Sequence, residues 1–208
     1  MPELIAPTAD LHAAWLQAHH EWGPGPHEDG FGLEPTDEVE SPAGFAAWLA
    51  RMADESFPAV GPDEAARTVC VYRWIVEDGQ VLGGIALRQG HDDHILQFGH
   101  IGYGIRPSSR RRGLAGWALG RMLGEAWKLG MERVLLVCER DNLASARTIE
   151  RIGGVFEGIR ETEDGPVRRY WFRLPPPVPP PPAALPPTAL PPAALPDTGG
   201  RTPRRDTV

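Results

Sequence analysis

The chain has 208 residues, 41% of them hydrophobic and seven of them Trp, enough to fill the core of one domain. A formal net charge of −7 argues against a nucleic-acid partner, because phosphate binding asks for a concentrated basic surface. Glu3, Asp10 and Glu21 break up the start of the chain, and no stretch reaches the ~18 to 20 apolar residues of a membrane span, so neither a signal peptide nor a membrane is expected and the protein reads as cytoplasmic.

In chain order, residues 8 to 20 place Leu11, Ala14, Trp15 and Ala18 at helical spacing, the mark of a first helix. Residues 21 to 40 are rich in Gly, Pro and acid. Ser41 and Pro42 then stand as N-cap and first residue of a second helix carrying Phe45, Trp48, Leu49 and Met52. The runs 69 to 76 and 81 to 88 are apolar and β-branched around Asp78-Gly79, which predicts an antiparallel hairpin. After a polar loop at Gln89 to His94, residues 95 to 105 read as a third strand ending before Pro107.

The period then changes. Leu114, Ala115, Ala118, Leu119, Met122, Leu123 and Ala126 mark one face of a long helix that stops near Gly130. Val134 to Cys138 is a continuous apolar run, as in a strand buried on both faces. Asn142 opens a helix with Ala146, Ile149 and Ile152 on one side, and residues 155 to 160 and 167 to 174 form a last hairpin around Asp164-Gly165. The strand-helix-strand over 100 to 138 predicts a right-handed parallel crossover, so the class is mixed α/β with a mostly antiparallel sheet. Cys70 and Cys138 each lie in an apolar run and predict two buried thiols. No Cys and His have zinc-site spacing, so no metal is expected. From Pro175 onward thirteen of 34 residues are proline, which cannot build a core or a ladder; 175–208 is expected to be a disordered tail following a domain at 1–174.

The stretch from Gly102 to Gly116 carries the chemistry. A strand ends, an arginine-rich loop turns, and a helix begins on small residues, so its unpaired N–H groups and dipole can hold phosphate. Gly113, Ala115 and Gly116 leave room there, and Arg110, Arg111 and Arg112 supply charge. A P-loop needs Lys-Ser or Lys-Thr where Leu114 follows Gly113, and a dinucleotide fingerprint from Gly102-x-Gly104 needs glycine where Pro107 stands, so neither a nucleotide triphosphatase nor NAD binding fits.

What remains, Arg110-x-x-Gly113-x-Ala115 five residues past Ile105, resembles the pyrophosphate motif of GNAT acetyltransferases. That family's second motif follows as Asn142-Leu143-Ala144-Ser145 opening a helix that ends Glu150-Arg151-Ile152-Gly153-Gly154. The run Gly99 to Pro107, the run Asp141 to Glu150 and the closing Arg169-Tyr170-Trp171 are also similar to a bacterial subgroup of predicted acetyltransferases, and the resemblance does not supply that subgroup's acceptors. It implies a GNAT-type fold with a splayed parallel strand pair at its centre and flanking helices, and acetyl-CoA bound between the strands at 100–105 and 134–138. Ile105 would pair with the pantetheine arm, Arg110, Arg111, Arg112, Gly113, Leu114, Ala115 and Gly116 would cradle the pyrophosphate, and Asn142 and Ser145 would touch the cofactor from the other side. Asn142 is also a favoured N-cap whatever the function.

The implied activity is an acyltransferase reaction, N-acetylation of a primary amine on a small acceptor by direct transfer. The alternative is a module that holds acyl-CoA without turnover. Many family members place an acidic tyrosine eight positions into the second motif, where this chain has Ile149. His100, Tyr103 and Glu139 are candidates for the base, His100 first because an unperturbed imidazole titrates near ~6.5; the plain alternative is a packed histidine. His91 and His94 fall with Asp92 and Asp93 in an expected turn. Between Glu21 and Glu64 eleven acids face one base, Arg51, which favours a cationic acceptor if that segment borders the cleft. A homodimer and a proline-binding partner for the tail stay open. A chain shortened to end at Leu174 is expected to keep its melting temperature and its acetyl-CoA affinity, because a segment so rich in proline has little to bury; a drop of several degrees in calorimetry would show that the tail packs on the domain.

Overall fold

The computed structural model describes residues 1–23, 30–56, 69–90 and 93–175. Of the expected tail at 175–208, all but Pro175 lies outside them, as do His91 and Asp92. The elements are β1 (Glu3–Ile5), α1 (His12–Trp22), α2 (Pro42–Glu55), β2 (Cys70–Glu77), β3 (Gln80–Arg88), α3 (Asp93–Phe98), β4 (Ile101–Ile105), α4 (Leu114–Lys128), β5 (Arg133–Glu139), α5 (Leu143–Arg151), β6 (Val155–Thr162) and β7 (Gly165–Arg173). They build two antiparallel sheets, one in the order β1-β2-β3-β4 and one in the order β5-β7-β6.

Strand β3 is buried along nearly its whole length because both faces of its sheet are covered. On one face Tyr72, Trp74 and Ala86 meet the aromatic sides of α1 and α2, with Trp15, Phe31, Phe45 and Trp48. On the other, Ile85, Leu87, Ile101 and Ile105 pack with Leu114, Ala118, Leu119 and Met122 of α4, and this core continues into Val134, Leu136, Tyr170 and Phe172 of the second sheet. The N-terminus of α2 forms as its sequence predicts, with Pro42 in the first turn and Ser41 Oγ accepting from the Gly44 N–H at 3.1 Å. Arg51 of α2 fastens the preceding loop, donating to the Gly32 carbonyl at 2.7 Å and to Asp37 and Glu55. At Gly84 the loop residues Gly30 and Phe31 come so near that a Cβ would sit 2.8 Å from the Gly30 oxygen, so glycine is required there.

One expectation needs correction. Residues 95 to 105 are not one strand: Asp93–Phe98 is helical and only Ile101–Ile105 pairs with β3. Ile95 is fully buried, and Gly99, at φ +86°, ends the helix by donating its N–H to the Ile95 carbonyl at 2.8 Å. So short an apolar run fits either period, and the stop signal was the glycine. Strand β1, pairing Glu3 to Ile5 with Val76 to Trp74, was not expected because three residues show no alternation.

At the centre, β4 and β5 are each an edge strand of its own antiparallel sheet and share no ladder; a single bridge between Gly99, just before β4, and Leu136 of β5 joins them. A continuous apolar run reports burial, not the partner or its direction. At the bridge the His100 N–H donates to the Leu135 carbonyl at 2.7 Å, and the Leu135 N–H donates to His100 Nδ1 at 2.9 Å. Nδ1 therefore carries a lone pair and Nε2 the proton, which faces the Gly90 carbonyl at 3.2 Å. His100 is 1% exposed and joins the two sheets. His100→Ala should strand the Leu135 N–H in the interior, at a cost of about 1–3 kcal/mol for an unmet buried donor. Thermal melts should show a fall of several degrees, whereas an unchanged melting temperature would mean that the imidazole does not hold this junction.

Candidate active site

The backbone of β4 shows which groups face the gap between the sheets. The Arg88 N–H donates to the His100 carbonyl at 2.7 Å and the Arg106 N–H to the Leu82 carbonyl at 2.8 Å, so the even-numbered residues between them form the hydrogen-bonded pairs with β3. Ile101, Tyr103 and Ile105 consequently turn their N–H and C=O groups away from β3. Past the bridge at Gly99, no described strand pairs with that edge.

Where β4 ends, a tight turn at Pro107–Ser109 leads through Arg111, at φ +64°, to Gly113, at φ +80°. Gly113 is the N-cap of α4 and has no side chain to cap it; the first intrahelical bond runs from the Trp117 N–H to its carbonyl at 3.0 Å. The N–H groups of Leu114, Ala115 and Gly116 thus begin the helix without intrahelical acceptors. Nothing lies within 4 Å of where a Gly113 Cβ would stand, and the nearest atom to a Gly116 Cβ is Thr148 Cγ2 at 3.8 Å. The result is an open helix end lined by small residues, suited to pyrophosphate oxygens.

Three ties hold this turn. Arg110 Nε donates to the Ile105 carbonyl at 3.0 Å. Arg112 pairs with Glu77 at the end of β2, and its hydrogen bond holds that carboxyl below the usual range. Glu21 of α1 accepts from the Ser108 N–H, from Ser108 Oγ at 2.9 Å and from Arg106 Nε at 2.6 Å. Burial alone would raise the Glu21 carboxyl, but these bonds outweigh it and hold it low. Arg111 is exposed.

Across the gap, Asn142 Oδ1 accepts from the Ser145 N–H at 3.0 Å and caps α5. Ser145 Oγ in turn accepts from the Tyr103 hydroxyl of β4 at 3.2 Å. Ile105, the Arg110–Gly116 turn, Asn142 and Ser145 therefore border one region, while His100 is set into the sheet junction with both ring nitrogens engaged. Glu139 is exposed at the end of β5, and His94 sits on α3 with its ring 4.7 Å from that of Phe98. Ile149 is 1% exposed within the main core. Sequence reading missed Glu21, for which an 87-residue separation from Ser108 leaves no signal, and the contact from Tyr103 to Ser145.

The family model for the acetyltransferase (GNAT) domain matches residues 5–155. The chain belongs to the GNAT acetyltransferase family. No curated protein matches it in a sequence search. Among solved structures it is similar to the microcin C7 self-immunity acetyltransferase MccE, described in complex with acetyl-CoA and AMP, at 14% identity and a TM-score of 0.58 over 83% of this chain and 92% of that one. The ribosomal-protein-S5-alanine acetyltransferase of Vibrio fischeri is similar at 12% identity, with a TM-score of 0.60 over 83% and 92% of the two chains. The Salmonella typhimurium acetyltransferase that modifies the N-terminal serine of ribosomal protein L7/L12 is similar at 16% identity, with a TM-score of 0.59 over 83% and 95%. GNAT acetyltransferases take acetyl-CoA as co-substrate, and the unobstructed cradle at Gly113 and Gly116 fits its pyrophosphate.

The Glu21 tie has a pH signature. Because its folded pKa is lowered from 4.5, its contribution is complete above that value and is lost as the pH falls through the folded pKa. Glu21→Gln should melt below the unaltered protein at neutral pH and converge with it in acid; melting curves offset equally at every pH would exclude the ion pair as the source.

Proposed function

We propose that this GNAT protein is an N-acetyltransferase that moves the acetyl group of acetyl-CoA to a primary amine by direct transfer. The observation that carries this is the open N-terminus of α4 directly after a strand edge that no described strand covers. The outward backbone groups of Ile105 would pair with the pantetheine arm in the manner of an added strand. Arg110, Arg111, Arg112, Gly113, Leu114, Ala115 and Gly116 would hold the pyrophosphate by charge and backbone N–H groups, and Asn142 and Ser145 would close the site from α5. The amine lone pair attacks the thioester carbonyl carbon, the C–N bond forms, and the C–S bond breaks with its electrons on sulfur. No acyl-cysteine is needed: Cys70 and Cys138 are buried, and burial pushes the Cys138 thiol up to about 11, so it stays protonated at neutral pH.

Six of the seven described carboxylates of the acidic segment are tied into structure: Glu34, Asp37 and Glu55 share Arg51, Glu40 pairs with His20, Glu38 accepts from Ser41, and Glu21 serves the β4–α4 turn. Glu28, Asp29, Asp63 and Glu64 lie outside the described residues. A different observation favours a second reading of the acceptor. With both nitrogens of His100 engaged, the best nucleophile is an amine already partly neutral, and an α-amino group at about 7.7–8.0 meets that condition where a lysine at about 10.4 does not. A polypeptide N-terminus, the acceptor named for the Salmonella protein, is such an amine.

Following thiol release from acetyl-CoA with small amines, polyamines and short peptides bearing free N-termini tests both readings. Turnover should occur, with α-amines ahead; binding without turnover on every acceptor favours the acyl-CoA-binding module. Gly113→Glu should weaken acetyl-CoA binding more than tenfold by calorimetry. Gly113→Ala is its control, because at φ +80° any side chain brings backbone strain of about 1–2 kcal/mol. Equal affinities for the two variants would remove the pyrophosphate assignment.

A further inference from the structure

We infer that the Tyr103 hydroxyl donates the proton to the departing CoA thiolate, an assignment that rests on the acetyl-transfer reading above. The position that resemblance marks for an acid on α5 is Ile149, closed into the core beside Ala146, Cys138 and Tyr170. Neighbouring groups are committed elsewhere: the Tyr170 hydroxyl donates to Glu150 at 3.0 Å, Thr148 Oγ1 donates to the Ala144 carbonyl at 2.9 Å, and His100 holds the sheet junction. Tyr103 differs on three counts. Its backbone N–H and C=O belong to the outward-facing set of β4, its half-buried ring packs against the main core, and its hydroxyl reaches the first turn of α5. It therefore crosses the gap that the other residues of the site border.

The contact itself is weak. At 3.2 Å it exceeds the usual ~2.7–2.8 Å of an O–H···O bond, so Ser145 holds the phenol loosely and a sulfur in the same gap can take its place as acceptor. A phenolic O–H is a hydrogen-bond donor and can pass its proton to the sulfur. When the C–S bond breaks, the sulfur takes the Tyr103 proton, and the ammonium of the tetrahedral intermediate loses a proton to solvent. The Ser145 hydroxyl then turns to donate to the phenolate and relays a solvent proton back. The balance is amine plus acetyl-CoA giving amide plus CoA thiol.

A test that needs no acceptor uses free CoA. The ultraviolet difference between complexes of CoA and desulfo-CoA, followed against pH, reports the pKa of the bound thiol. A phenol that donates to the thiolate lowers that pKa. Tyr103→Phe should raise it by about one unit relative to the unaltered protein while affinity for desulfo-CoA stays within twofold. Ser145→Ala should leave it low, because the phenol remains. If Tyr103→Phe does not fold, the unaltered protein should gain affinity for CoA over desulfo-CoA as the thiol ionises. With an acceptor in hand, kcat of Tyr103→Phe should fall about 100-fold with little change in KM for acetyl-CoA. An unchanged thiol pKa, or a pH-independent preference between the two ligands, overturns the role of Tyr103; failure of the unaltered protein to bind CoA at all would instead overturn the acetyl-transfer reading.

Discussion

Two edge strands, each with a row of backbone donors and acceptors, would ordinarily zip together. β4 and β5 do not; their backbone pairing is confined to Gly99 and His100, just before β4. Gly99 turns the chain at φ +86° so close to β5 that a Cβ would stand 3.0 Å from the Leu135 oxygen and the Val137 nitrogen. The His100 imidazole then accepts the Leu135 N–H, a bond that a continuing ladder would have given to backbone. Beyond that junction the strands part, and the outward N–H and C=O groups of Ile101, Tyr103 and Ile105 face the gap.

The rest of the site is arranged around that parting. Helix α4 is fixed by its buried side, Leu114, Ala118, Leu119, Met122 and Ala126, which leaves its first turn facing the end of β4. The turn before it is tied to α1 through Glu21, to β2 through Glu77 and to its own strand through Arg110. These are ion pairs and carbonyl bonds, not apolar packing, so they set the position of the loop without filling the space in front of Gly113.

Charge also serves structure in the N-terminal segment. Arg51 gathers three of its carboxylates and in doing so pins the loop at 30–37 to α2. That loop supplies Gly30 and Phe31 against Gly84, which completes one of the two cores. A count of acids and bases carries no information about which of them face each other, and that pairing decides whether a surface field remains.

Sequence alone determined the features with a local cause. Helices α2, α4 and α5 were legible from caps and 3.6-residue periodicity, the hairpins from Asp-Gly and from β-branched runs, and the open helix start at Gly113 from an arginine-rich turn between a strand and a helix that begins on small residues. Tertiary structure decided what depends on distant partners. The short helix at Asp93–Phe98, the single bridge from Gly99 to Leu136, the capture of His100 by Leu135 and the reach of Tyr103 to Ser145 each join residues whose neighbours in sequence give no hint of one another. A histidine reads as a base until its lone pair is spent, and whether it is spent depends on a backbone N–H 35 residues away.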